Sequence, residues 1–144
     1  MLRHPFHMVS SDGIFRPGRS HPRAYGACAK FLSSSVAGED LTLEQAVRHA
    51  TSAPAERFSL WDRGLIRPGF AADLFLFDES AYKDRATTAD PRLHASGVQY
   101  VFVNGESVLE EGEPTGLTPG RALRPQLLPK PLSKTLQEVT ESFQ

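Results

Sequence analysis

Cysteine is nearly absent: Cys28 stands alone among 144 residues, which excludes an internal disulfide, a CxxC zinc knuckle and dithiol redox chemistry. A reducing, cytoplasmic compartment is the expectation. Long hydrophobic runs are missing too, since nothing approaches the roughly 18 apolar residues of a membrane span. The opening Met1–Val9 is too short for the apolar centre of a signal peptide, so neither export nor a membrane partner is expected. No one sign of charge dominates, with Lys+Arg 16 against Asp+Glu 17 and a formal net charge of −1. The chain therefore lacks both the basic field that grips nucleic acid and the acidic tract of a solvating tail. Its histidines include no His-x-His pair, the spacing that brings two imidazoles to one face of a strand for a metal. No internal repeat, low-complexity segment or glycine-rich phosphate loop is present, and Lys30, Lys83, Lys130 and Lys134 are scattered.

What remains is the composition of one compact domain or a piece of one. Residues 5 to 9 read as a short strand opening into the turn formers Ser10-Ser11-Asp12-Gly13. After a loop rich in Pro and Gly, a helical pattern puts Cys28, Phe31, Leu32 and Val36 on one face, with Cys28 toward the core, until Gly38-Glu39-Asp40 ends it. The next helix has a capping box, Thr42 with Gln45, a staple of Leu41 on Ala46, and an apolar stripe of Leu43, Ala46, Val47 and Ala50. Ser52 is the expected cap of a further short helix with Pro54 in its first turn and Phe58 and Leu60 facing inward. Beyond Arg67-Pro68-Gly69-Phe70, a turn, the apolar Leu74–Phe77 reads as a strand buried on both faces. Asn104-Gly105 between Tyr100–Val103 and Ser107–Leu109 signals a two-residue hairpin and hence a small antiparallel sheet. The remainder reads as loop or tail from Gly112, with one weak amphipathic helix over Leu132–Phe143.

Asp12 is the first candidate for chemistry. It follows an apolar strand and precedes a glycine, where a barrel strand would deliver a carboxylate to its active-site mouth. An ordinary turn with Asp12 bonded to nearby N–H groups would use the same residues. His21-Pro22-Arg23-Ala24-Tyr25-Gly26 groups an imidazole, a guanidinium and a phenol directly after that turn. Arg23 has the planar fork that clamps carboxylates, although a solvated helix-start arginine reads the same way. His4 and His7, three apart, fall on opposite faces of an extended segment. His49 reads as a surface or boundary residue, His94 as solvated in a polar loop, and Cys28 as inert packing.

Several of these segments together are similar to one family: Ser11-Asp12-Gly13, His21-Pro22-Arg23-Ala24-Tyr25-Gly26, Leu43–Val47 with Thr51–Arg57, Asp62–Leu74, Val101–Gly105 and Thr115-Gly116. They resemble the D-aminoacylases, N-acyl-D-amino-acid deacylases of the amidohydrolase superfamily, from about Pro5 to Arg124. The resemblance implies an α/β fold, incomplete on its own. Residues 1–60 would be the last strand, active-site loop and helices of a metal-dependent (β/α)8 barrel, residues 61–124 the C-terminal part of a small β-sandwich domain, and residues 125–144 a tail.

It also implies roles. Asp12 matches the aspartate that activates the family's zinc-bound water and is itself a candidate metal ligand whose co-ligands are missing from this chain, while Arg23, Tyr25 and His21 border the pocket for an N-acyl-D-amino acid. Zinc would lower the pKa of water, and the carboxylate would relay its proton to the departing nitrogen. The metal-binding His-x-His, the bridging cysteine and the later histidines of the family have no counterpart here, so the chain alone is expected to bind no zinc and to be inactive. A cyclic amidase of dihydropyrimidinase or dihydroorotase type is the alternative enzyme. A non-catalytic domain that docks onto a chain carrying the rest of the barrel is the alternative outside enzymes.

Overall fold

The computed structural model describes residues 1–14 and 20–126; the expected helix over Leu132–Phe143 lies outside them. Three helices come first, α1 (Arg23–Ala37), α2 (Leu43–Ala50) and α3 (Ser52–Arg57), and then four strands, β1 (Leu74–Phe77), β2 (Val98–Val103), β3 (Glu106–Glu110) and β4 (Glu113–Pro114).

The helix α2 forms where its sequence signals converge. Gln45 N–H donates to Thr42 Oγ1 at 3.3 Å, Thr42 N–H donates to Gln45 Oε1 at 3.0 Å, and so both arms of the capping box are closed. Leu41 and Ala46, the staple pair, are buried in one cluster with Leu32, and Phe31, Val36, Leu43, Val47 and Ala50 pack around it. Helix α1 packs Leu32, Phe31 and Val36 on the core as expected, but not Cys28. Gly26, Ala29, Leu32 and Ser35 are buried while Cys28 is exposed. The small residues on the i, i+3 row allow closer approach than the Cys28 row, and close approach decides which face is inner. For α3 the N-cap is Thr51 rather than Ser52. The Ser52 hydroxyl instead accepts from Arg48 at 3.0 Å, and Phe58, expected inside, is exposed.

The sheet is an antiparallel meander in the order β1-β2-β3-β4. The β2–β3 hairpin turns through Asn104 (φ 51) and Gly105 (φ 84), the paired positive angles of a type I′ turn. A second tight hairpin, between β3 and β4, uses Glu111 (φ 49) and Gly112 (φ 86) where the sequence reading has only loop. Two strand expectations fail. Residues 5 to 9 form no strand, because among the described residues no partner strand lies alongside; Val9 N–H donates to the carbonyl of His49 on α2 instead. Leu74–Phe77 is a strand, but β1 ends the sheet and is open to solvent through Leu76 at 56%. A continuous apolar run reports preference for burial, and burial needs a second layer.

Among the described residues the helical part and the sheet part meet at several places. Phe77 and Tyr82 pack on the helical core. After α3, the guanidinium of Arg63, only 7% exposed, donates to Asp73 and, at 2.6 Å, to Asn104 Oδ1. Asp73 in turn accepts Asn104 N–H at 2.8 Å, and the Asn104 side-chain N–H donates to Pro119 O at 2.8 Å. Burial pushes the Asp73 carboxyl up, but the Asn104 N–H and the Arg63 guanidinium outweigh it and hold the group below its ordinary value.

Candidate active site

Asp12 sits at φ 46, a left-handed angle that aspartate tolerates better than most residues. Its neighbours are locked by hydroxyls: Gly13 N–H donates to Ser11 Oγ at 3.1 Å and Asp12 N–H to Ser10 Oγ at 3.4 Å. Gly13 is pressed on the first turn of α1, where a Cβ would come within 2.8 Å of Ala24 Cα. That packing sets the Asp12 carboxylate beside Arg23, with Nη2 to Oδ2 at 3.1 Å and the two side chains 42% and 81% exposed, Arg23 first.

The sequence-derived candidates are partly brought together. Asp12 and Arg23 touch. His21 is next to them, and its Nδ1 accepts the Arg23 N–H at 3.1 Å, which satisfies one of the open donors at the start of α1 in place of a side-chain cap at Pro22. Tyr25 turns toward the loop after the first strand and meets His94 edge-on, ring centroids 6.3 Å apart. His94 is thus engaged with an aromatic ring.

An open cleft of about 740 Å³ adjoins this corner, lined by Ser10, Ser11, His21, Arg23, Lys30 and Asp84 among others. Lys30 and Asp84 were missed from sequence. Arg23, Ala27 and Lys30 follow the i, i+4, i+7 rule, so the helical face carrying Lys30 was readable. Asp84 was not, because it arrives from the far side of β1 and fits against α1 only where Gly26 leaves room; a Cβ there would meet its carboxylate.

Among the described residues, no three or more His, Cys, Asp or Glu side chains gather as a metal site would require. Asp12 brings one carboxylate, already paired with a cation, and that donor set does not fit a metal centre by itself.

The sequence profile of the amidohydrolase family matches residues 1–109. The chain belongs to the amidohydrolase family. It is 40% identical over 125 residues to an N-acyl-D-glutamate deacylase of Alcaligenes xylosoxydans xylosoxydans, a match covering 86% of this chain and 25% of the relative. A crystal structure of a D-aminoacylase described as defining a novel subset of amidohydrolases superposes with TM-score 0.76 at 38% identity, over 81% of this chain and 25% of that one. The N-acyl-D-glutamate deacylase of Bordetella bronchiseptica, solved with zinc and a phosphonate mimic of the tetrahedral intermediate, gives TM-score 0.70 at 40% identity, over 77% and 24%. The chain thus spans about a quarter of the length of the relatives it matches. These relatives are deacylases of N-acyl-D-amino acids, so the cyclic amidase alternative is not favoured. No helix among the described residues is long and apolar enough to cross a membrane.

Proposed function

We propose that this chain supplies Asp12 as the proton-carrying carboxylate of a hydrolase that cleaves the linear amide of N-acyl-D-amino acids. The observation that carries this reading is the Asp12–Arg23 contact on the edge of an open cleft, within a chain alike to deacylases over most of its length. A carboxylate so exposed can take a proton from attacking water and pass it to the departing nitrogen. The metal of such a site would be held by residues outside this chain, and the chain's own part is to present and orient Asp12.

Arg23 is the residue that would receive the substrate carboxylate, in competition with Asp12, while His21 fixes the first turn of α1 and Tyr25 borders the pocket. Residues 1–60 would complete a barrel whose last strand, 5 to 9, straightens only beside its neighbours, and residues 61–124 would join a small β domain. The open, apolar β1 supports association with the rest of such an enzyme, since a hydrophobic sheet edge without charge or proline invites pairing.

The test is hydrolysis of N-acetyl-D-glutamate with zinc present, by the chain alone and mixed with a polypeptide carrying the other three-quarters of the deacylase. No release of D-glutamate is expected from the chain alone, release is expected from the mixture, and none from the mixture made with Asp12→Asn. A mixture in which Asp12→Asn works as well as the unaltered chain would overturn the assignment.

A further inference from the structure

His7, in the segment leading to Asp12, and His49, on the inner side of α2, face each other through their Nδ1 atoms at 3.1 Å, with ring centroids 5.2 Å apart. Two like nitrogens bond in one arrangement only: one carries hydrogen and the other presents a lone pair. His49 is 6% exposed, and the His7 ring stacks on Phe31 of α1 at 5.7 Å. The His49 carbonyl also accepts Val9 N–H at 3.2 Å. Side chain and backbone of one residue therefore hold residues 7 to 9 on α2.

The surroundings are unfriendly to a second proton. Arg3, Arg48 and Arg57 line the same cleft of about 1040 Å³ as His49, against the one carboxylate of Glu56, which Arg48 already binds at 3.1 Å. On the α1 side the ring packed against His7 is Phe31, which carries no charge. His4, on the other side of Phe6, uses its Nδ1 to accept the Phe6 N–H and is not part of the pair.

We propose that the His7–His49 contact is an acid-released latch, which holds the segment leading to Asp12 against α2 through one shared proton. When both imidazoles are charged, two N–H groups face each other, the lone pair is gone, and like charges meet amid excess cations. Burial first, and then the His7 and Arg48 charges, hold His49 below the ordinary imidazole value. Its contribution to stability is therefore fully present above about pH 6.5 and is lost as pH falls through the folded-state value. That release would unseat the proposed catalytic carboxylate rests on the deacylase reading; the latch itself does not.

The test follows Val9 amide hydrogen exchange by NMR on the full chain from about pH 7.5 to about pH 5, corrected for intrinsic exchange. Protection should fall by up to about tenfold per pH unit below about pH 6.5, where the released pair binds a proton that the latched pair does not, and level off below the folded-state value. In His49→Gln, which keeps a polar group, the acid step should disappear, and in His7→Phe, which keeps the stack on Phe31, it should shrink, because burial still acts on His49. Protection independent of pH in the unaltered chain, or an unchanged step in either variant, would overturn the proposal. So would imidazole Cε1 resonances of His7 and His49 that both titrate as solvent-exposed histidines do. None of these readouts requires activity.

Discussion

Gly13 rests on Ala24 so closely that a Cβ at residue 13 would lie 2.8 Å from the Ala24 Cα and 3.1 Å from its Cβ. The contact joins the Ser-Asp-Gly turn to the first turn of α1, and through it Asp12 is set beside Arg23. Gly13→Ala should therefore push the turn off the helix. A loss of about 1–3 kcal/mol, the usual cost of overpacking, is expected in urea unfolding at neutral pH. An unchanged midpoint and slope would show that the turn does not need the helix.

Asp12→Asn should separate stability from chemistry. The Asp12–Arg23 pair is exposed on both sides, and exposed pairs contribute little. Thermal unfolding should move by no more than the equivalent of about 0.5 kcal/mol, while deacylation by the assembled enzyme should be lost. A large fall in stability would mean that the carboxylate is mainly structural.

Asp73→Asn should be among the most damaging single changes to the sheet region. It leaves the nearly buried Arg63 with only the more distant and half-exposed Asp62 carboxylate, 4.0 Å from its Nε, and broken buried pairs cost about 3–5 kcal/mol. Because Asp73 is 36% exposed, water offsets part of this, and a loss of roughly 2–3 kcal/mol in denaturant unfolding is expected. The folded-state value of the Asp73 carboxyl lies below the ordinary one, so its stabilisation is present above about pH 4 and disappears as pH falls further. Acid unfolding curves of the two proteins should accordingly converge at low pH. Parallel curves down to the acid limit would contradict the role given to Asp73.

Thr42→Ala removes the acceptor of Gln45 N–H and frees the reciprocal arm. A loss of about 1 kcal/mol is expected, read as a lower thermal midpoint. Thr42→Ser, which keeps the oxygen, should restore most of it.

The features legible in the sequence are those decided within a few residues. The capping box at Thr42 and Gln45, the Asn104-Gly105 turn and the Arg67–Phe70 turn each depend on neighbours along the chain, and each forms as read. Asp12, Arg23 and His21 were legible as candidates, and their adjacency follows from the short path between them. Burial set by distant partners was not legible. His49 reads as a boundary residue until His7, 42 positions away, closes on it. Cys28 reads as core until the small-residue row of Gly26 and Ala29 takes the inner face. Arg63, Asp73 and Asn104 are visible as pieces of family motifs, but nothing local reveals that they bind one another across 10 and 41 positions.

The open rim of β1 bears on how this polypeptide behaves in the hand. Leu74, Phe75 and Leu76 offer oily side chains on a strand that, among the described residues, is paired on one side only, so at high concentration copies should stick to one another rim to rim. Dilution, or a capping peptide of matching hydrophobicity, should keep the preparation clear, and recovery after refolding should fall as the protein is made more concentrated.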